Sequence, residues 1–179
     1  TLYIISDCGF SSAIRSGHYS IIRTMKEDIS IVLCGEAGQG IQTIEVVLTR
    51  ILKQSGYNVF AAKEYMSRVR GGVNSTSIRV SSNRVSAPVD RIDVLVPLSP
   101  ARTKHLAKRI SPDTLILEQT EKSIFANISA VGILCALFKV DTNIISDHLK
   151  QVFSKKGDEI AAKNIEAMLK GYGAGKVLL

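Results

Sequence analysis

No two cysteines in this sequence lie close together. Cys8, Cys34 and Cys135 are scattered over 179 residues, and without a C-x-x-C pair neither a zinc site nor an iron–sulfur site is encoded by this chain alone. The three histidines, His18, His105 and His148, are equally isolated, so no metal ligand set is predicted. His148 falls among Ile144, Ile145, Leu149 and Val152 and reads as a helix-flank residue. Long hydrophobic runs are also missing. The nearest approach to a membrane span, Ile124–Val140, contains Asn127, Ser129 and Lys139 and reads as a buried helix. The amino end does not read as a secretory signal, because Ser6 and Asp7 interrupt its first apolar run and no basic region precedes it. A soluble cytoplasmic protein with no membrane contact is expected. Five phenylalanines and five tyrosines are spread out, with no aromatic-plus-basic sheet motif, which argues against a nucleic-acid module despite the formal charge of +7.

Apolar residues make up 45% of the chain and charged residues 22%, enough for a sizeable core in one domain. The positive charge has a location. Lys63, Arg68, Arg70, Arg79, Arg84 and Arg91 fall in one interval, opposed there only by Glu64 and Asp90.

One stretch organises the rest, Ile29–Thr43. Ile29, Ile31, Val32, Leu33 and Cys34 form a near-continuous apolar run, the pattern of a strand buried on both faces. A glycine-rich turn follows, with Gly35, Gly38 and Gly40, and then a helix whose apolar face is Ile44, Val47, Leu48, Ile51 and Leu52. Free N–H groups at such a helix start can cradle an anion. The stretch departs from the dinucleotide fingerprint G-x-G-x-x-G, since Ala37 stands where the second glycine would be. From the turn alone, a phosphate, a partner chain and a ligand-free tight turn all remain open.

Ser55-Gly56 reads as a helix C-cap, followed by a strand at Asn58–Ala61 and a loop from Lys63 to Ser75. Thr76–Ser81 alternates and, turning at Ser82-Asn83 into Arg84–Ser86, predicts an antiparallel hairpin. Ile92–Val96 reads as the next buried strand, Ser99-Pro100 as the start of a helix reaching about Ile110, and Leu115–Leu117 as another strand. Helices are expected around Ile128–Phe138, from a Thr142 cap through Val152, and over Asp158–Leu169. The fold class is α/β: a three-layer α/β/α sandwich with a mostly parallel sheet plus an antiparallel hairpin. Residues 1–24 are expected to be an atypical or artificially added extension, with Leu2–Ile5 an edge strand if ordered, and residues 25–179 a single domain.

Taken together, these residues resemble the gamma subunit, or fused gamma domain, of the 2-oxoacid:ferredoxin oxidoreductases. The matching pieces are the turn ending Gly38-Gln39-Gly40, then Glu64-Tyr65, Ser67–Asn74, and Ile78-Arg79-Val80. Pro88 followed by Ile92–Leu95, Asn127 to Gly132, and Phe153–Gly157 to Gly171-Tyr172 complete the set. Two departures stand out. Ala37 replaces the middle glycine of the family's G-x-G-G-Q-G, and a segment with a further strand that the family carries between the equivalents of Gln119 and Asn127 is nearly absent.

The resemblance implies an enzyme complex that decarboxylates a 2-oxoacid oxidatively on thiamine diphosphate, passing the acyl group to coenzyme A and electrons to ferredoxin. This chain would be its non-catalytic gamma subunit, inactive alone and holding no cofactor of its own. Thiamine diphosphate and iron–sulfur clusters would sit in the alpha and beta partner subunits, and a homodimer is expected in isolation. Coenzyme A is expected at an interface, touching Gly35, Gly38, Gln39, Gly40, Arg68, Arg70, Gly71, Gly72 and Asn74, with Arg79 adding charge. The competing reading of the arginines is that they pair with carboxylates of the alpha subunit. The alternative for the whole chain is a stand-alone Rossmann-like nucleotide-binding protein. It is disfavoured by the missing second glycine of the fingerprint and by Ala61-Ala62-Lys63 where an acidic ribose ligand would stand.

Overall fold

The computed structural model describes residues 2–6, 10–14, 28–65, 73–99, 103–119, 125–154 and 157–179. Its strands are β1 (Leu2–Ser6), β2 (Phe10–Ile14), β3 (Asp28–Glu36), β4 (Asn58–Tyr65), β5 (Val73–Ser81), β6 (Val94–Pro97) and β7 (Leu115–Gln119). The helices are α1 (Ile41–Gln54), α2 (Ala126–Leu137), α3 (Thr142–Phe153) and α4 (Asp158–Val177), with a single 3₁₀ turn at Lys104–Leu106.

All seven strands join one sheet in the order β1-β2-β7-β6-β3-β5-β4. β3 pairs parallel with β6, and β6 with β7, while the other pairings are antiparallel. Two antiparallel steps restore direction, so β1, β3, β4, β6 and β7 run the same way and the sheet is mostly parallel in strand direction. β1 lies at one edge, and β4 at the other.

Alternation assigns the two faces. Ile29, Ile31 and Leu33 of β3 join Ile78 and Val80 of β5 in the main core, beneath Ile44, Leu48 and Ile51 of α1 and Ile145, Leu149 and Met168 of α3 and α4. On the other face Val32 and Cys34 pack with Ile92, Leu95 and Leu106. Among the described residues this second face is covered by the 3₁₀ turn, not by the helix expected to reach Ile110; Leu106 is that turn's only buried side chain, too little to anchor a longer helix.

The predicted hairpin also needs correction. Arg84–Ser86 forms no strand. Instead β5 lies between β3 and β4, antiparallel to both, so its residues from Asn74 to Ser81 have strand partners on two sides. The short 84–86 run cannot compete with such a ladder. Its surroundings are held by side chains: Asn58 Nδ2 donates to Ser82 O at 3.2 Å, and Arg79 Nη1 to Ala87 O at 3.2 Å. The loop expected from Lys63 is shorter for the same reason. Lys63–Tyr65 continues β4 and Val73–Ser75 opens β5.

The α1 C-cap is as expected, with Ser55 N bonded to Ile51 O and Gly56 at φ +89°. α3 is capped not by Thr142 but by Asp141, whose carboxylate accepts from Asn143 N at 2.8 Å. α4 runs well past Leu169 to Val177. Gly171 and Gly175, past the expected end of the helix, let two backbones meet: a Cβ on Gly171 would collide with Ser129 O of α2, and one on Gly175 would come within 2.7 Å of Ile133 O. Gly132 of α2 does the same against Met168 O.

Two expectations follow. Gly171→Ala should destabilise the chain by about 1–3 kcal/mol, because backbone cannot yield as a side chain can. Gly173 faces open space, so Gly173→Ala should stabilise by up to about 1 kcal/mol through helix propensity; urea denaturation of both variants decides.

His148 is 5% exposed and neither ring nitrogen has a hydrogen-bond partner among the described residues. Burial, with the nearby Arg50 charge, holds its pKa below the ordinary 6.5. The unfolded chain therefore takes up this proton first, and stability should fall as the pH drops below 6.5, by at most about 1.4 kcal/mol per unit. His148→Leu should remove that part of the acid limb in urea midpoints measured from pH 7.5 to 5.5.

Candidate functional site

The carboxyl ends of β3 and β4 point to the same end of the sheet, and β5 begins between them. Asn74 is the register partner of both Gly35 and Tyr65. The glycine turn, Tyr65 and Val73 therefore meet there.

The turn is self-braced. Gln39 folds its side chain back so that Oε1 accepts from Glu36 N at 2.7 Å, and Gln39 N donates to Glu36 O at 3.2 Å. Gly35 leaves room for that side chain, since a Cβ there would stand 2.6 Å from Gln39 Oε1. Gly38 and Gly40 both have φ +87°, the left-handed region open to glycine. Ala37 does not, because Lys139 is the only non-glycine with positive φ among the described residues. Loss of the family's middle glycine thus strains nothing in the backbone.

A residue that sequence reasoning left out of the site completes the turn. Asn127, the second residue of α2, donates from Nδ2 to Gln39 O at 3.0 Å and lies where a side chain at Gly40 would go. Its signal was present as a polar position at the start of a largely apolar helix, but nothing in the sequence pairs residues 88 apart. Gly40 then serves as N-cap of α1, with Ile44 N bonded to Gly40 O at 3.1 Å. The amides of Ile41, Gln42 and Thr43 precede that first helical bond, the usual state of a helix start.

These amides border a pocket of about 360 Å³ between the turn and the sheet, whose lining includes Gly38, Gly40, Lys63, Asn74 and Thr76. Lys63 Nζ lies 3.2 Å from Glu45 Oε2, joining β4 to α1 across the pocket. Of the predicted site residues, Gly35, Gly38, Gln39, Gly40 and Asn74 come together. Arg68, Arg70, Gly71 and Gly72 lie outside the described residues.

Arg79 does not belong here. It stands opposite Ser30, six residues and about 20 Å along the strand from Glu36. It binds Asp28 through two hydrogen bonds, Nε to Oδ1 at 2.8 Å and Nη2 to Oδ2 at 2.9 Å. Arg91 adds a second pairing to Asp28 at 3.2 Å. The Arg79 hydrogen bond, outweighing partial burial and aided by Arg91, holds the Asp28 carboxyl below its usual range. Of the thiols, burial pushes Cys34 up to about 11 and Cys135 further still, so neither is a nucleophile at neutral pH. Among the described residues there is no cluster of metal-ligating side chains, and no helix is long and apolar enough to cross a membrane.

Residues 30–123 and 115–174 match the family of pyruvate ferredoxin/flavodoxin oxidoreductases. Subunit IorB of indolepyruvate oxidoreductase from Archaeoglobus fulgidus is 28% identical over 154 residues, covering 80% of this chain and 77% of its own. Ketoisovalerate oxidoreductase subunit VorA from Methanothermobacter marburgensis is 26% identical over 59% of this chain but only 23% of its own length. Among solved structures, a 2-oxoglutarate:ferredoxin oxidoreductase from Magnetococcus marinus, with 2-oxoglutarate, coenzyme A and succinyl-CoA bound, superposes with a TM-score of 0.73 at 24% identity. That match covers 86% of this chain and 32% of the other. The pyruvate oxidoreductase subunit PORC from Thermotoga maritima superposes with a TM-score of 0.61 at 21% identity, over 83% of this chain and 97% of the subunit. The chain thus spans nearly the whole of one solved subunit and about a third of a longer chain. The gamma subunit of a keto/oxoacid ferredoxin oxidoreductase from Geobacter sulfurreducens has the same fold, with a TM-score of 0.57 at 17% identity over 84% of this chain and 98% of that one. With the matched residues covering well over half its length, the chain belongs to the pyruvate ferredoxin/flavodoxin oxidoreductase family.

Proposed function

We propose that this chain is the gamma component of a 2-oxoacid:ferredoxin oxidoreductase, docking on alpha and beta subunits and holding the phosphate-bearing part of coenzyme A at its glycine turn. The observation that carries this reading is the turn itself. Two left-handed glycines, the folded-back Gln39 and the Asn127 clamp present the first amides of α1 to an open pocket, and a helix start favours an anion through its donors and its dipole.

The described part of the lining includes Glu36, Glu45 and Lys63, and Lys63 is committed to Glu45. Counter-charge for a diphosphate therefore falls to Arg68 and Arg70, on a segment tethered beside the turn at Tyr65 and Val73. Gly71, Gly72 and Asn74 complete the assignment. Coenzyme A is an acyl acceptor; thiamine diphosphate and iron–sulfur clusters belong to the partners, and the chain alone turns over no 2-oxoacid. The edge strand β4 and the exposed Leu169 and Val177 of α4 offer surfaces for docking and for a homodimer in isolation.

In the assembled enzyme, Arg70→Ala should raise the apparent KM for coenzyme A by about tenfold, the loss of one charge-assisted hydrogen bond, and leave assembly intact. An unchanged KM with weakened assembly, measured by co-purification with the alpha subunit, would make the 66–72 segment a docking element instead. Turnover of a 2-oxoacid by the isolated chain would overturn the assignment.

A further inference from the structure

The helix-facing side of β5 changes character along its length. Val80 and Ile78 are apolar and sit in the core, but the next two positions on the same face are Thr76 and Asn74. The change falls where the turn before α1 leaves the sheet open to the pocket. Thr76 is flanked in register by Leu33 on β3 and Lys63 on β4, and all three side chains share that face.

Thr76 is 3% exposed and lines the pocket, yet its hydroxyl has no hydrogen-bond partner among the described residues. The Thr76 hydroxyl is not among the buried polar atoms left without a partner, so it opens to the pocket, where a ligand can supply the hydrogen bond that the fold does not. The Lys63 ammonium beside it is engaged with Glu45 and does not reach the Thr76 hydroxyl in any hydrogen bond. The α1 amides supply donors for a phosphate at the mouth of the pocket. Thr76 supplies a neutral donor and acceptor further in.

We propose that the Thr76 hydroxyl is a ligand-binding group, hydrogen-bonding a non-ionic oxygen or nitrogen of an organic phosphate whose phosphate sits at the amino end of α1. This rests on the coenzyme A reading above and adds to it the residue that distinguishes the organic part from a bare phosphate. The pocket volume of about 360 Å³ suits one portion of such a ligand, with the remainder extending outward past Asn74.

Calorimetric titration of the full chain with coenzyme A and with inorganic pyrophosphate tests this, using Thr76→Val and Thr76→Ser. Thr76→Val should weaken coenzyme A binding about threefold to tenfold, the worth of one neutral hydrogen bond, and leave pyrophosphate affinity unchanged. Thr76→Ser should bind both as the unmodified chain does. The melting temperature of Thr76→Val should not fall, because valine keeps the shape of threonine and the hydroxyl makes no hydrogen bond among the described residues. Unchanged coenzyme A affinity in Thr76→Val overturns the proposal, as does an equal loss for pyrophosphate, which would place the effect in the phosphate cradle. Failure of the unmodified chain to bind coenzyme A overturns the underlying reading, and this proposal with it.

Discussion

A helix with no polar face has to be covered on every side, and α2 is that helix. From Ala126 to Leu137 every residue but Asn127 is buried, so the sheet, α1 and α4 must all close around it. The glycines at 132, 171 and 175 make this closure tight enough for backbone to meet backbone, where dispersion is gained over the whole crossing. The one residue of α2 that is not buried, Asn127, then has little freedom. Asn127 is held at the end of the buried helix and its amide reaches Gln39 O, so the packing of the core sets the shape of the glycine turn 88 residues earlier. The site is thus positioned by the buried core.

The two ends of the sheet are treated differently. At the amino end of β3, Asp28 is held by Arg79 and Arg91, Arg91 also pairs with Asp93, and Asp93 accepts from Ser30 N at 2.7 Å. Charges there are spent on one another and on the 82–93 connection. At the carboxyl end, Thr76 and Asn74 make no such pairings, and the Lys63–Glu45 bridge spans the pocket without filling it. Polar groups that satisfy each other stabilise a fold, whereas groups left waiting mark a place where a ligand or partner supplies the missing contacts. The arginine-rich interval of the sequence is thereby divided, with Arg79 and Arg91 structural.

Legibility followed from how local the cause was. Nearly every helix and strand of the domain could be read from periodicity, because β3 shows a continuous apolar run and α1 a clear apolar stripe. The glycine turn was legible too, since positive φ calls for glycine at Gly38 and Gly40. The partner of β5 was not. A strand's neighbour depends on which ladder saturates more backbone groups, and that comparison involves β3 and β4 together. Nor could the reach of α4 be read, because Gly171 and Gly175 take their role only from the helix they pack against.

The sequence by itself determined the α/β class, the buried strand that leads into a glycine turn and an amphipathic helix, and the family resemblance carried by short ordered motifs. Only the tertiary structure decided that β5 would lie antiparallel between β3 and β4, that Arg79 would be withdrawn from the site, and that Asn127 and Thr76 would enter it. The physical reason is the same in each case. Local conformation is set by neighbours within a turn or two of chain, whereas hydrogen bonds across dozens of residues depend on which surfaces must be buried together.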